Sequence, residues 1–388
     1  MAFAGSAIAF TSLYVAAGAP TPLLVLYQEQ WKFPATTLTL AFAVYTVGFL
    51  AALLTVGRLS DHLGRRPVLI GSLIVQLISL VMFLLAPDID WVIAARIVQG
   101  IATGAATSAF SAALVELAPP DKKKLGTILG SVGMTGGLAL GTLLAGLAIQ
   151  FTSTANTIVF AALIVVTVLG IAVVALSPES VTRAPGVLRS LIPRVSIPVV
   201  ARREFLAAVP VITGVWMLAG LSLGLAPTIV RSVFHFDSGF LNGLSGFIAP
   251  AVSAIIGVLF SNVGARRSIL IGIVASIVGA VGIVAGVSGE SLGIMMAGQA
   301  IAGIGFGAAF SGALRHIMPL AAAHQRAAVI AGVYIVAYIA FGLPVVIVGQ
   351  LAANLGLIPM IVGYGAVAVA LSLVSLVAQI GMGRKYAA

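Results

Sequence analysis

The chain has no cysteine, and only ten of its 388 residues are acidic. Without thiols there is no disulfide and no thiolate metal site. Charged residues make up 8% of the chain, against about 25% in a typical soluble domain, while hydrophobic residues make up 61% and the mean hydropathy is +1.19. No water-soluble fold hides that much apolar surface. The pattern G-x-x-x-x-G-K-[ST] is missing, which excludes a pump built on a phosphate loop. The four histidines, His62, His235, His316 and His324, fall at or near loops, so none is placed for a mid-membrane proton relay. His235, beside Arg231 and Asp237, suits sensing of external pH instead. No histidine-acid cluster or nucleophile-base pair lies at one depth, which argues against a membrane enzyme. No channel or sensor signature takes its place.

What is present is a series of apolar runs. A span needs about 20 apolar residues, and only helices or closed barrels satisfy their backbone in hydrocarbon. The runs lack the period-two alternation of barrel strands, so helices remain. Twelve spans are predicted, at about 2–27, 35–56, 67–86, 91–117, 125–151 and 155–176, then 205–230, 239–260, 268–288, 292–314, 328–351 and 357–380. The first has no short apolar core with a small-residue cleavage site, so it reads as a retained span rather than a signal peptide. Basic residues alternate by loop. Seventeen, among them Arg65, Arg66, Lys123, Arg183, Arg189, Arg194 and Arg266, fall on one side, Lys32 and Arg231 on the other, and Arg96 within a span. That bias places both termini in the cytoplasm. It also accounts for the net charge of +10 through topology and anionic lipid, leaving no role for nucleic acid.

Residues 177–204 form the one long polar stretch, with Pro178, Pro185, Pro193 and Pro198. The expected organisation is therefore a six-helix bundle over 1–176, a cytoplasmic linker over 177–204 and a second six-helix bundle over 205–388. The halves repeat one another. GRRPVLIGS from Gly64 matches ARRSILIGI from Ala265 at five of nine positions, and GIATGAATS from Gly100 matches GIGFGAAFS from Gly303 at six of nine. The offsets are 201 and 203 residues, the trace expected of two pseudo-symmetric bundles related by an axis along the membrane normal.

Between the second and third spans stands GRLSDHLGRRP, with Gly57, Leu59, Asp61, Gly64, Arg65, Arg66 and Pro67. This order resembles the loop signature of major facilitator superfamily transporters, particularly the twelve-helix drug:proton antiporter branch. The resemblance implies an all-α integral membrane protein of that fold, working by alternating access. It further implies that Asp61, Arg65 and Glu116, with Gly57, Gly64 and Arg66, form a cytoplasmic latch of the outward-facing state. Asn262 replaces the aspartate in the second half, so a matching latch there is weaker or absent. Arg96, Gln99, Gly100 and Gly104 resemble the fourth-helix signature, where the arginine is associated with proton coupling and substrate handling. The competing reading of Arg96 is that its stem snorkels to the outer surface. Gly137, Gly141 and Gly146 resemble a degraded fifth-helix motif of proton-driven drug exporters, and close helix packing would give the same pattern.

By the same resemblance the first, fourth, seventh and tenth spans supply substrate contacts: Tyr14, Arg96, Gln99, Trp216 and Gln299, with Tyr45, Tyr334 and Tyr338 from flanking spans. Neither the first span nor the middle of any other carries a carboxylate, so neutral or weakly acidic lipophiles fit better than cations. The expected function is proton-coupled efflux of small lipophilic organic molecules, in the multidrug manner. An importer or facilitator of a sugar or organic acid is the alternative. The partners are then a small-molecule substrate, protons and the lipid bilayer. No cofactor and no metal are expected. The expected state is a multi-pass monomer in a plasma membrane, the bacterial inner membrane.

Overall fold

The computed structural model describes residues 2–181, 184–193, 195–322 and 325–387. Arg183, Arg194 and His324 lie outside them. Among the described residues twelve helices are long and apolar enough to cross a membrane: Ala2–Trp31, Ala35–Val56, Arg65–Leu84, Ile89–Leu117, Lys123–Phe151, Ala155–Leu176, Val199–Ser232, Gly239–Asn262, Ala265–Ser288, Leu292–Leu320, Arg326–Leu355 and Leu357–Gly381. All twelve predicted spans are found, and their ends differ where polar residues continue a helix beyond its apolar run. The first span runs on to Trp31 and so takes in Glu29, which corrects the expectation that it holds no carboxylate. The seventh begins at Val199 rather than near 205, directly after Pro198. Glu204, read from the sequence as linker, is therefore helical, and it is buried.

Two compact units result. One comprises Met1–Arg194 with Ser238–Phe247, and the other Val195–Asp237 with Ile248–Ala388. In the first unit the first span packs on the fourth, fifth and sixth, and the third on the fourth and sixth. In the second the seventh packs on the tenth, eleventh and twelfth, and the ninth on the tenth and twelfth. The internal repeat thus has one packing scheme, used twice.

Small residues set the helix separations. A Cβ on Gly137 would meet the carbonyl of Thr11 and the Cβ of Tyr14, and one on Gly141 would meet the carbonyl of Val15. The fifth-span glycines therefore hold the first span at backbone contact. Gly146 meets Gly239 and Gly243 in the part of the eighth span that belongs to the first unit.

Both units contain a helix disturbed at the same tripeptide, Ala-Pro-Thr, at residues 19–21 and 226–228. A helical proline gives no N–H to residue i−4 and its ring crowds that carbonyl. In the first span the chain divides into Ala2–Gly18 and Pro20–Trp31. In the seventh the turn widens into a π segment, Leu221–Leu225, where the Ala226 N–H reaches the Leu221 carbonyl.

Candidate functional site

The first unit gathers its polar candidates at the break in the first span. Arg96 and Gln99 lie one turn apart on the fourth span, so they share a face. The Arg96 guanidinium donates to Gln99 Oε1 at 2.6 Å, to the carbonyls of Ala17 at 3.2 Å, Ala41 at 3.3 Å and Phe42 at 3.4 Å, and lies 4.6 Å above the Tyr45 ring. Gln99 Nε2 donates to the Ala16 carbonyl at 2.8 Å. Ala16 is the residue whose helical donor Pro20 removes, so the Gln99 amide supplies the missing hydrogen bond. Arg96 is 3% exposed and Gln99 fully buried. The snorkelling reading of Arg96 is therefore wrong: the side chain turns inward, because carbonyl dipoles and a ring face await it there. Among the described residues no carboxylate pairs with it. The guanidinium is held in the bundle by oriented carbonyl dipoles and the Tyr45 ring face, a cation–π contact that when desolvated is worth about 2 kcal/mol. Tyr14 stands apart from this group, its hydroxyl bonded to Thr107 Oγ1 at 2.8 Å and its ring edge-on to Phe10.

In the second unit three candidates come together. Trp216 has Tyr338 at 5.0 Å and Tyr334 at 6.4 Å between ring centroids, with Phe306 at 5.2 Å, Phe310 at 5.3 Å and Phe341 at 5.9 Å. Sequence reading passed over these three phenylalanines, although Phe306 and Phe310 sit one turn apart within the repeated glycine motif. Trp216 and Tyr338 are buried, while Phe306 and Tyr334 are partly exposed. The Trp216 indole N–H has no partner. Gln299 occupies the repeat position of Arg96 and is fully buried, and both atoms of its amide are without a partner.

The loop residues form a third group. Arg65 Nη1 donates to Asp61 Oδ1 at 2.5 Å and to Ser60 Oγ at 2.7 Å, and Nη2 to Glu116 Oε1 at 3.0 Å. The polar stretch after the sixth span joins in, which the sequence did not indicate. Ser180 Oγ donates to Glu116 Oε2 at 2.6 Å, and the Glu179 carboxylate accepts the backbone N–H groups of Arg65 at 2.8 Å and Arg66 at 3.0 Å. Glu179 thereby caps the third span, where N–H groups lack intrahelical partners and the helix dipole favours an anion. Gly64 makes this possible. Its φ is +100°, and a Cβ there would stand 2.5 Å from Glu179 Oε2. Gly57 accepts from Ser108 Oγ at 2.7 Å, which ties the end of the second span to the fourth. The Arg66 side chain is exposed.

Among the described residues the matching loop of the second unit holds no such charge cluster. Arg315, on the tenth span, donates instead to the carbonyls of Ser261 at 3.2 Å and Val263 at 2.8 Å and to Ser268 Oγ at 2.9 Å. The neighbouring His316 Nε2 lies 3.1 Å from Glu204 Oε2. That pair was hidden in the sequence because Glu204 was assigned to the linker.

Comparison with known proteins agrees with this architecture. An uncharacterized transporter of Rickettsia bellii is 37% identical over 78 residues, 20% of this chain and 19% of its own length. A multi-drug resistance efflux pump PmrA homolog of Lactococcus lactis is 28% identical over 229 residues, 56% of this chain and 55% of its own. The matches therefore span about half or less of these relatives' length. The solved xylose transporter XylE from E. coli, in a partially occluded inward-open conformation, superposes with a TM-score of 0.73 at 15% identity, covering 96% of this chain and 95% of that one. At that identity the likeness is one of fold. Residues 5–343 match the profile of the Major Facilitator Superfamily, and the chain, a multi-pass membrane transporter rather than an enzyme, belongs to that superfamily.

Proposed function

We propose that the chain exports small lipophilic organic molecules in exchange for protons, by alternating access, as a monomer of the bacterial inner membrane with both termini in the cytoplasm. The observation that carries this reading is the six-ring cluster about Trp216, whose part-exposed members Phe306 and Tyr334 offer apolar contact area, with a polar tip on Tyr334. The likeness to the multi-drug resistance efflux pump homolog of Lactococcus lactis supports it, and the one-sided distribution of basic residues supports the orientation. The buried Arg96, paired with dipoles rather than an acid, favours neutral or weakly acidic substrates over cations. The Asp61, Arg65 and Glu116 cluster acts as the cytoplasmic switch, exchanging partners as the cycle proceeds.

The test is proton movement in proteoliposomes under an imposed pH gradient, with neutral, anionic and cationic lipophiles added in turn. Proton flux that depends on the compound and opposes its movement is expected, strongest for the neutral members. Substrate flux without proton movement would replace antiport by facilitated diffusion, and uptake down the proton gradient would make the chain an importer.

A further inference from the structure

Exchange against protons needs a side chain that takes up a proton and gives it back. Both polar clusters of the first unit are built on arginine, which stays protonated in proteins, whereas histidine as a residue type changes charge near neutral pH. Among the described histidines, His62 Nδ1 meets the Pro185 carbonyl and His235 is exposed, but His316 Nε2 lies 3.1 Å from Glu204 Oε2. The seventh span begins at Val199, so Glu204 stands about 7.5 Å along it, and His316 falls in the last turn of Leu292–Ile317 on the tenth. The imidazole side chain is 36% exposed and the carboxylate side chain 7%, so water reaches the first where it scarcely reaches the second. Beyond Val195 the acids are Glu204, Asp237 and Glu290, and the last two follow the seventh and ninth spans at the opposite end. Glu204 is thus the one carboxylate at the linker end of the second unit. At this end the spans packed on the seventh add Arg266, Arg267, Arg315, Arg326, Arg384, Lys385 and Tyr386, and its own first turns add Arg202 and Arg203; His324 lies outside the described residues. Arg266, Arg315 and Arg326 bond backbone carbonyls, and none of the arginines gives up its proton.

We propose that Glu204 and His316 are the site at which the second unit binds the exchanged proton, the imidazole taking it from water at the linker end and the buried carboxylate sharing it. This assignment rests on the proposed antiport and names the groups that carry its proton. An ionised carboxylate only accepts, so Nε2 carries the hydrogen of the bond and Nδ1 is left to receive a proton. One proton taken up there turns the pair from singly negative to neutral, and Nε2 then either keeps its hydrogen, as imidazolium, or passes it to Oε2. The pair bridges the seventh and tenth spans, and Trp216 meets Phe306 and Phe310 across the same two spans. Phe310 is six residues from His316, about 9 Å along the tenth. A bound proton adds charge to the hydrogen bond and draws the two spans together, while a compound wedged into the Trp216 cluster parts them. Each then weakens the other's binding, and by linkage the effect is reciprocal.

The experiment uses the full-length chain in proteoliposomes with a pH dye trapped inside, and labelled chloramphenicol, salicylate and tetraphenylphosphonium as neutral, anionic and cationic probes. Two rates are measured for each: proton movement driven by the probe, and counterflow of labelled against unlabelled probe at equal pH, which needs no net proton transfer. Wild type, Glu204→Gln, Glu204→Asp and His316→Gln are compared, and thermal unfolding confirms that each is folded. Glu204→Gln should lose proton movement far more than counterflow, and its counterflow should no longer vary with pH as that of wild type does. Glu204→Asp, which keeps a carboxylate, should regain part of the proton movement, and His316→Gln should slow it without abolishing it. Wild-type proton movement in Glu204→Gln, or a parallel loss of both rates, overturns the site, the first because the proton is carried elsewhere and the second because the pair only braces the spans. Wild-type counterflow without proton movement would refute the antiport itself, and no counterflow of any probe would refute lipophile export, each a different result from those in the variants.

Discussion

The two units solve one problem in opposite ways. Each has an Ala-Pro-Thr break in the span that begins it, and each packs that span on its fourth. The first unit closes its break with Arg96 and Gln99, whereas the second widens its helix by a π turn and carries an unpartnered glutamine at the repeat position of Arg96. The loops that follow the second span of each unit differ too. One is held by a guanidinium between carboxylates, and the other by a guanidinium on backbone carbonyls. A shared helix-packing scheme therefore fixes where a break and a loop must be held, but not the chemistry that holds them. The unit that bonds its own break commits its polar groups to structure, and the other leaves Gln299 and Ser222 unpartnered.

The widest separation between the units should come from removing the paired residues themselves. Arg96→Met leaves the carbonyls of Ala17, Ala41 and Phe42 and the Gln99 oxygen without that donor, a loss on the order of 3–5 kcal/mol in a buried setting. Gln299→Met removes an amide with no partner in the structure and should change stability by less than about 1 kcal/mol, or raise it. Thermal unfolding in detergent measures both. Equal losses would show that the two positions do the same structural work.

The helix caps give the next largest contrast. Gly64 and Gly264 both precede a span and both stand at its N-cap, yet their φ angles are +100° and −53°. Gly64→Ala should cost about 2–3 kcal/mol, from the left-handed backbone and from displacement of the Glu179 cap. Gly264→Ala has open space around its Cβ and should be neutral or slightly stabilising, since it restricts the unfolded chain. Unfolding temperatures of the two variants decide it.

Salt should then distinguish the two loops. Arg65→Ala breaks contacts with two carboxylates whose side chains are 53% and 31% exposed. Its destabilisation, about 1–2 kcal/mol at low ionic strength, should shrink in 1 M salt as the lost attraction becomes screened. Arg315→Ala breaks bonds to neutral acceptors, and its smaller cost should hardly depend on salt. A salt-independent Arg65→Ala would mean that its charge contributes little to the cluster.

How much of this was open to a reader of the sequence depends on the range of the interaction. Helix number and order were legible because twenty-residue apolar runs need no tertiary information. Arg65 and Glu116 were legible through a short motif, but Glu179 was not, because it comes from a stretch whose prolines suggest only a linker. Arg96 could be located and not oriented. Whether a long side chain turns inward depends on which backbone carbonyls lack donors, and that became visible only when Pro20 and Gln99 were placed side by side. Glu204 was misassigned for a simpler reason, since hydropathy ends a helix at its first charges whereas the backbone continues to the preceding proline.

The claim that Gln99 substitutes for the N–H that Pro20 lacks can be tested most closely by a double-mutant cycle. Gln99→Leu in the wild-type chain strands the Ala16 carbonyl in a buried site, which should cost about 1–2 kcal/mol. Pro20→Ala restores a backbone donor at the position that points to that carbonyl, so in its presence Gln99→Leu should cost less. The difference, a coupling of about 0.5–1 kcal/mol, isolates the pairing from everything else the glutamine does, including its bond to Arg96. The same cycle built from Pro227→Ala and Ala302→Leu in the second unit should show no coupling, because an alanine side chain gives nothing to a carbonyl. Additive costs in the first unit would mean that Ala16 finds its donor elsewhere and that Gln99 serves Arg96 alone.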